Sequence, residues 1–448
     1  MRIGYQAPDT TIWQGNVMDT PWPIESGSVQ VVCTSPPYWQ LRDYNVPPSD
    51  WPEVTYHLVP FLPPVVIPPM TCALGLEPTP EAFVGHLVLV FREVWRVLRD
   101  DGCMLLNIGD SYAGSGKGPS NSLQRPASCL NDAQLRAGAA PTAWVPLNSG
   151  SRGVKMGSVH GDSGHTSGVT PPKGLKQKDL VGVPWLLSLA LRSEGWYWRS
   201  IVVWHKLSCM PESVDDRPTN AWEPIFLLAK SERYFWDAHA VRQPMRRGSA
   251  GSTFTDGKTG VNGQGRASQA ERHDNPAGAN LRNVLSLSPE PLRDGHYASY
   301  PTAIPRLAVL AGSSEAGCCS ICGAPHERVV ERERTFESGS GKAGHLPNGK
   351  NGADLQGGGV TLDVRRGPCV HTSTTGWRPT CSHADAPTRP CLVLDPFMGS
   401  GTTALVARQL GRHSVGLELN PEYIAIIERR MGKQTPSLFA LTAPAPSP

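Results

Sequence analysis

The chain has 448 residues, 39% of them hydrophobic, with 46 glycines, 43 prolines and a formal net charge of +3. That length suits two or three average domains or one large α/β domain with insertions, and an apolar share below the globular norm assigns part of the chain to loops. Met1 to Gln6 shows no apolar stretch behind a basic patch, and the longest apolar run, Phe61 to Met70, is broken by four prolines, so neither a signal peptide nor a membrane span is read. Eleven cysteines without an export signal read as reduced thiols or metal ligands rather than a disulfide framework, and the expected compartment is the cytoplasm.

Residues 28 to 34 predict a short buried strand, because β-branched residues cluster there and the run stops at Ser35-Pro36-Pro37. Val84, Leu87, Val88, Phe91, Trp95 and Leu98 follow the three-and-four spacing of an amphipathic helix, which Asp101-Gly102 ends before a strand over Cys103 to Ile108. From Ala113 to Lys178 the chain is rich in Gly and Ser, with eight basic residues against two acidic ones. A helix is then expected over Leu180 to Glu194, and strands over Ser200 to Trp204 and Ile225 to Ala229. Val241 to Asn283 is a second loose stretch, seven basic residues against three acidic, and both stretches read as solvated linker or as DNA contact. The last block reads strand (Leu392 to Leu394), helix (Thr402 to Leu410), strand (Ser414 to Leu419) and helix (Pro421 to Met431), with Asn420 as the final N-cap. Such an alternation implies a doubly wound, mostly parallel α/β sheet of Rossmann type.

Asp395-Pro396-Phe397-Met398-Gly399-Ser400-Gly401-Thr402-Thr403 joins a strand to a helix, so its glycines lie where a backbone turns tightly against a ligand. A phosphate-binding loop would end in Gly-Lys-Ser/Thr, which is missing, and Asp395 would repel a polyphosphate. An acid there suits a cofactor bearing a sulfonium and an amino group. Glu418 ends the next strand, where a carboxylate can accept hydrogen bonds from two ribose hydroxyls; a dinucleotide enzyme would use the same device.

Together, Asp-Pro-Phe-x-Gly-Ser-Gly-Thr-Thr and the Gly416-Leu417-Glu418-Leu419-Asn420-Pro421 that follows resemble the S-adenosylmethionine signature of DNA amino-methyltransferases. His296-Tyr297-Ala298-Ser299-Tyr300-Pro301 resembles that family's other cofactor-binding segment, which implies roles for His296 and Ala298. Thr34-Ser35-Pro36-Pro37-Tyr38-Trp39 is similar to its catalytic signature. With the catalytic loop some 360 residues ahead of the cofactor loop, the order resembles the β group of the family, and it disfavours protein glutamine methyltransferases, whose Asn-Pro-Pro-Tyr loop follows the cofactor loop. Asn107 to Tyr112, Trp204-His205-Lys206, Asp216-Arg217-Pro218 and Leu228 to Ser231 also resemble phage and bacterial members, and the likeness covers 11–112, 178–240 and 281–431. Gly15-Asn16 stands where the family commonly has Gly-Asp, which leaves the adenine contact to Asn16 or to nearby Asp19.

The chemistry of the catalytic loop follows from its residues. An exocyclic base amine is a poor nucleophile because its lone pair is delocalised into the ring. The Ser35 hydroxyl and the Pro36 carbonyl can accept hydrogen bonds from that amine and localise the pair, while Pro36 and Pro37 stiffen the loop. Tyr38 offers a face for a flipped-out base, and Trp39 is expected to wall the pocket. Transfer is then a direct displacement with no cysteine nucleophile. Ser35, where adenine enzymes more often carry Asp, points to cytosine N4, with adenine N6 as the alternative; a zinc-containing DNA-binding protein with a dead core is the reading from another class.

Cys319-Ser320-Ile321-Cys322-Gly323 is the tight turn that aims two thiolates at one metal, and Cys381 with His383 can complete a closed structural zinc site while residues 324 to 376 loop out. Cys318, Cys369 and His371 are alternative ligands. The organisation read from all this is a catalytic-loop half over 1–112, a flexible basic insert over 113–178, core continuation over 179–240, and a second insert over 241–283 that is the candidate for target recognition. A cofactor segment over 284–317, a zinc knuckle with a disordered loop over 318–391, a cofactor-loop half over 392–433 and a disordered tail over 434–448 complete it. The resemblance implies double-stranded DNA as partner, a cognate restriction endonuclease as a further one, and the cytoplasm of a bacterial or phage-infected cell.

Overall fold

In the computed structural model, the residues described are 1–44, 46–114, 171–172, 174–209, 212, 214–243, 278–290, 300–335 and 369–432. Nine strands make the main sheet: β1 (Arg2–Ala7), β2 (Thr10–Gln14), β3 (Val29–Thr34), β4 (Leu98–Asn107), β5 (Tyr197–Lys206), β6 (Trp222–Ala229), β7 (Val284–Leu287), β8 (Leu392–Asp395) and β9 (His413–Glu418). Their spatial order is β1-β2-β9-β8-β3-β4-β6-β5-β7. From β2 through β4 the neighbours are parallel, whereas β6 runs antiparallel to both β4 and β5 and β1 antiparallel to β2. Helices α1 (Pro80–Val97), α2 (Val183–Ser193), α3 (Ala303–Gly312), α4 (Thr402–Gln409) and α5 (Pro421–Gly432) cover the faces.

Every residue of β3 is buried, as a strand between parallel neighbours and under helices on both faces requires. Its alternation sorts the core into two layers. Val29 and Val32 join Met104, Leu106 and the apolar stripe of α1, while Val31 and Cys33 join Cys103, Leu105 and α3. A third cluster, with Ile12, Met398, Leu405, Ile424 and Ile427, seats α4 and α5 against the β2 end of the sheet.

Helix starts follow from their caps. Thr79 accepts the Ala82 amide at 3.2 Å ahead of Pro80, so α1 begins one turn before its first periodic apolar residue and ends at Val97, ahead of Asp101-Gly102. Asp110 accepts the amides of Gly182 and Val183 and so caps α2 from the end of β4. Asn420 accepts the Glu422 amide at 2.9 Å, the cap expected for α5.

The topology places the site. From β3 the chain crosses through α1 to β4 on one side, and from β8 it crosses through α4 to β9 on the other. β3 and β8 are adjacent, so the winding reverses between their carboxyl ends, which is where open α/β sheets leave a ligand crevice.

Several features depart from the sequence reading. The β1–β2 hairpin extends the parallel sheet at its edge, and β4 starts at Leu98, directly after α1. The stretch expected to loop out after Ala324 instead includes a long antiparallel ribbon, His326–Thr335 with Cys369–Pro379. Much of 113–178 and 241–283, the segment around His296 and Ala298, and the tail after Gly432 lie outside the described residues. No described helix is long and apolar enough to cross a membrane.

Close packing at one glycine is testable. A Cβ on Gly312 would come within 2.5 Å of Val31 Cγ2 and 3.0 Å of the Cys103 sulfur, so α3 sits on β3 and β4 only because position 312 has no side chain. Gly312→Ala is expected to lower unfolding stability by about 1–3 kcal/mol in denaturant titration.

Candidate active site

Asp395 ends β8 almost fully buried, and its two oxygens take four donors. Oδ1 accepts from the Thr34 hydroxyl at 2.7 Å and the Phe397 amide at 3.0 Å; Oδ2 accepts from the Thr403 hydroxyl at 2.7 Å and the Tyr300 hydroxyl at 3.0 Å. Burial raises its pKa and these donors pull it back. Asp395 therefore does not face the cleft, as its sequence context suggested; it lies beneath the loop and ties the end of β3 to the start of α4. Gly401 likewise serves packing, with φ +80° and Ile427 2.9 Å from where a Cβ would stand.

Above Asp395 opens a cleft continuous with solvent, about 1140 Å³ with its open mouth included. Pro396, Phe397, Gly399, Ser400 and Thr402 line it from one loop, Glu418 from the end of β9, and Ser35 and Pro37 from the end of β3. Tyr44, Trp51, Tyr300 and Tyr423 give it aromatic walls, and among the described residues no lysine or arginine lines it. Asn16 also faces the cleft, held by a hydrogen bond from its side chain to Ser49, whereas Asp19 lies near the amino terminus and outside the lining.

Glu418 is the acidic group of the cleft. One oxygen accepts the Gly399 amide at 2.7 Å and the other the Asn420 amide at 2.8 Å, leaving each a further lone pair. Burial pushes its pKa up to about 8, against the pull of those amides and helped by the nearby Asp395 charge.

The catalytic loop splits into exposed and anchored parts. Ser35 and Pro37 face the cleft, Pro36 is buried, and Tyr38 stands beside them with Gly109 so close that a Cβ there would come within 2.4 Å of the ring. Tyr38 hydroxyl lies 2.8 Å from Glu223 Oε2 and 3.1 Å from Asn107 Oδ1. Trp39 does not wall the cleft; it is buried and donates to the Glu77 carbonyl at 3.0 Å, because the chain turns inward after Tyr38. Glu77 in turn meets His86 at 2.9 Å, and His86 stacks on Trp51, so a buried polar pair backs the loop. Tyr300, Asn107 and Lys206 stand in segments that resemble the family but had no role assigned, and Glu223 stands in none of those segments. The signal for Tyr300 was its place beside the expected cofactor segment; for Glu223 there was none.

At the opposite edge of the sheet, ligand atoms of Cys319, Cys322, Cys381 and His383 all lie within 4.8 Å of one another. Gly323, with φ +71°, closes the turn, and His383 Nδ1 is buried without a hydrogen-bond partner among the described residues. The alternatives fall away by position. Cys318 points to the Pro390 carbonyl at 3.8 Å, and the ribbon register carries Cys369 and His371 eight or more residues beyond Pro379, roughly 25 Å along the strands.

The family model for N6/N4 DNA methylases matches residues 29–319 and 391–429, on both sides of the ribbon and most of the four-ligand cluster. The chain belongs to the N6/N4 DNA methylase family. Its relatives include the type II methyltransferase M.XycI of Xanthomonas campestris pv. cyanopsidis, 28% identical over 97% of this chain and 91% of that one. M.Cfr9I of Citrobacter freundii is likewise 28% identical, over 97% and 91% of the two chains. Among solved structures, the PvuII cytosine-N4-specific DNA methyltransferase aligns over 98% of this chain and 92% of that one at 13% identity, with a TM-score of 0.46. The segments matched by the family model carry both candidate loops.

The buried Glu418 makes stability depend on pH. Between pH about 4.5 and 8 the folded chain holds a proton that the unfolded chain has released, so stability falls as pH rises across that window, by at most about 1.4 kcal/mol per pH unit. Glu418→Gln is expected to flatten this slope in denaturant titrations of the unliganded protein at pH 5 to 8.

Proposed function

We propose that this methylase transfers a methyl group from S-adenosylmethionine to the exocyclic N4 amine of cytosine in double-stranded DNA. The observation that carries the reading is that Ser35 and Pro37 open onto the same cleft as Pro396 to Ser400 and Glu418. An aromatic-walled cleft that no lysine or arginine lines among the described residues suits a nucleoside cofactor and disfavours a polyphosphate. The free lone pairs of Glu418 are placed for ribose hydroxyls, the aromatic walls for adenine, and Asn16 for its edge; His296 and Ala298 are assigned to the same pocket by the motif alone. When bound, S-adenosylmethionine supplies a methyl group on a sulfonium, so displacement needs no covalent enzyme intermediate.

The chain's own work is positioning. Ser35 and the Pro36 carbonyl accept hydrogen bonds from the target amine, and prolines at 36 and 37 set those acceptors in place beforehand. Tyr38 stacks on a base flipped out of the duplex. Ser35 favours cytosine, with adenine N6 as the second reading, and recognition of sequence is assigned to the basic inserts. A restriction endonuclease of the same specificity is the expected companion.

Mass analysis of nucleosides from DNA methylated in vitro is expected to give N4-methylcytosine; N6-methyladenine alone would overturn the choice of base. Ser35→Ala and Tyr38→Ala are expected to cut transfer by about 100-fold or more while DNA binding persists. A binding-only protein has no transfer to lose.

Cys319, Cys322, Cys381 and His383 are proposed to hold one structural zinc; four protein ligands would close the site to substrate, and the partnerless His383 Nδ1 is the observation that favours a metal. Elemental analysis should find one zinc per chain, lost in Cys322→Ser or Cys381→Ser and retained in Cys318→Ser.

A further inference from the structure

Tyr38 does not end in solvent. Its hydroxyl sits 3.5 Å from Ser35 Oγ on one side and 2.8 Å from Glu223 Oε2 on the other, so a hydroxyl of the cleft is joined to a carboxylate through one phenol. Glu223 comes from the start of β6, which runs antiparallel to both its neighbours, so its side chain reaches the carboxyl edge beside the catalytic loop. Its other oxygen pairs with Lys206 at the end of β5, and Asn107 Nδ2 donates to Oε2 at 3.2 Å and to the Pro224 carbonyl at 3.2 Å. Lys206 and Asn107 thus fix the rotamer that turns Oε2 towards Tyr38. Nothing in stacking a base or accepting a hydrogen bond from its amine requires a carboxylate there.

Methylation of an amine does require somewhere to put a proton. As the amine nitrogen attacks, the new C–N bond forms while the C–S bond breaks and sulfur keeps the bonding pair, leaving a neutral thioether and a positively charged methylated nitrogen. That nitrogen must lose one proton to become the product. Ser35 is too weak a base to keep it. We propose that Ser35, Tyr38 and Glu223 form a proton relay whose terminal acceptor is the Glu223 carboxylate. Ser35 Oγ takes the proton from nitrogen as its own passes to the Tyr38 oxygen, and the Tyr38 proton passes to Glu223 Oε2. A positive charge on nitrogen and a negative one on Glu223 are lost together. Burial and the Glu223 charge hold the Tyr38 phenol well above its ordinary pKa, so it hands on a proton only while receiving one.

The relay rests on the methyl-transfer reading, and one experiment separates the two. Single-turnover transfer to cognate DNA is compared for the unaltered chain, E223Q and Y38F, with DNA and S-adenosylmethionine affinities measured by equilibrium titration. Gln at 223 retains an oxygen to hold the Tyr38 hydroxyl but cannot take its proton, and Phe at 38 keeps the stacking ring but breaks the chain. Both variants should lose about 100-fold or more in rate with both affinities within twofold of the unaltered chain. E223Q transferring within threefold of the unaltered chain would show that Glu223 only anchors Tyr38 and would overturn the relay alone. No transfer by the unaltered chain would overturn the methyl-transfer reading and the relay with it.

Discussion

One buried carboxylate sets the geometry on which the cleft depends. Asp395 sits where a lone charge would cost several kcal/mol, and it is tolerated because four donors saturate it. Those donors come from β3, from the residues ahead of α3, from α4 and from its own loop. The acid therefore holds in register the strand end that carries Ser35 and the loop that carries Gly399, across the seam where the sheet changes its winding. Removing any one donor leaves charge unsatisfied in the core, so the two loops are energetically a single unit.

The two acids of the cofactor loop region divide the work according to depth. Asp395 is spent on structure, while Glu418, one strand over, keeps free lone pairs at the surface of the cleft, its pKa pushed up to about 8 by burial. At the other edge of the sheet, Gln30 of β3 donates to the Gly323 carbonyl and accepts the Leu392 amide at the start of β8. The cluster of Cys319, Cys322, Cys381 and His383 thus braces the beginnings of the same two strands whose ends Asp395 ties. Both devices act on the β3–β8 seam, one from each end.

Much of this was legible in the chain. The central strands announced themselves as β-branched runs stopped by Pro or Asp, and the caps Asn420 and Pro421 placed α5 to within a residue. The catalytic and cofactor loops could be read because their residue types are dictated by local backbone and by the chemistry of an amine. Long-range partners could not. Nothing local says that Asp395 faces inward to Thr34 and Tyr300 rather than outward, or that Trp39 turns into the core, since both depend on strands far apart in sequence. Glu223 lay hidden for the same reason: it is an ordinary strand-end glutamate until the antiparallel pairing of β6 with β4 brings it to Tyr38. The ribbon of 326–335 with 369–379 escaped notice because its strands are largely polar and its partner segment is remote.

The most direct test of the account is modified-base sequencing of DNA from cells that express the chain, beside cells that express its Ser35→Ala form. N4-methylcytosine at one recurring short sequence, absent with Ser35→Ala, is the predicted result. DNA free of methylated amines, or modification that persists without the Ser35 hydroxyl, would contradict the central claim that the two loops joined through Asp395 form one methyl-transfer site.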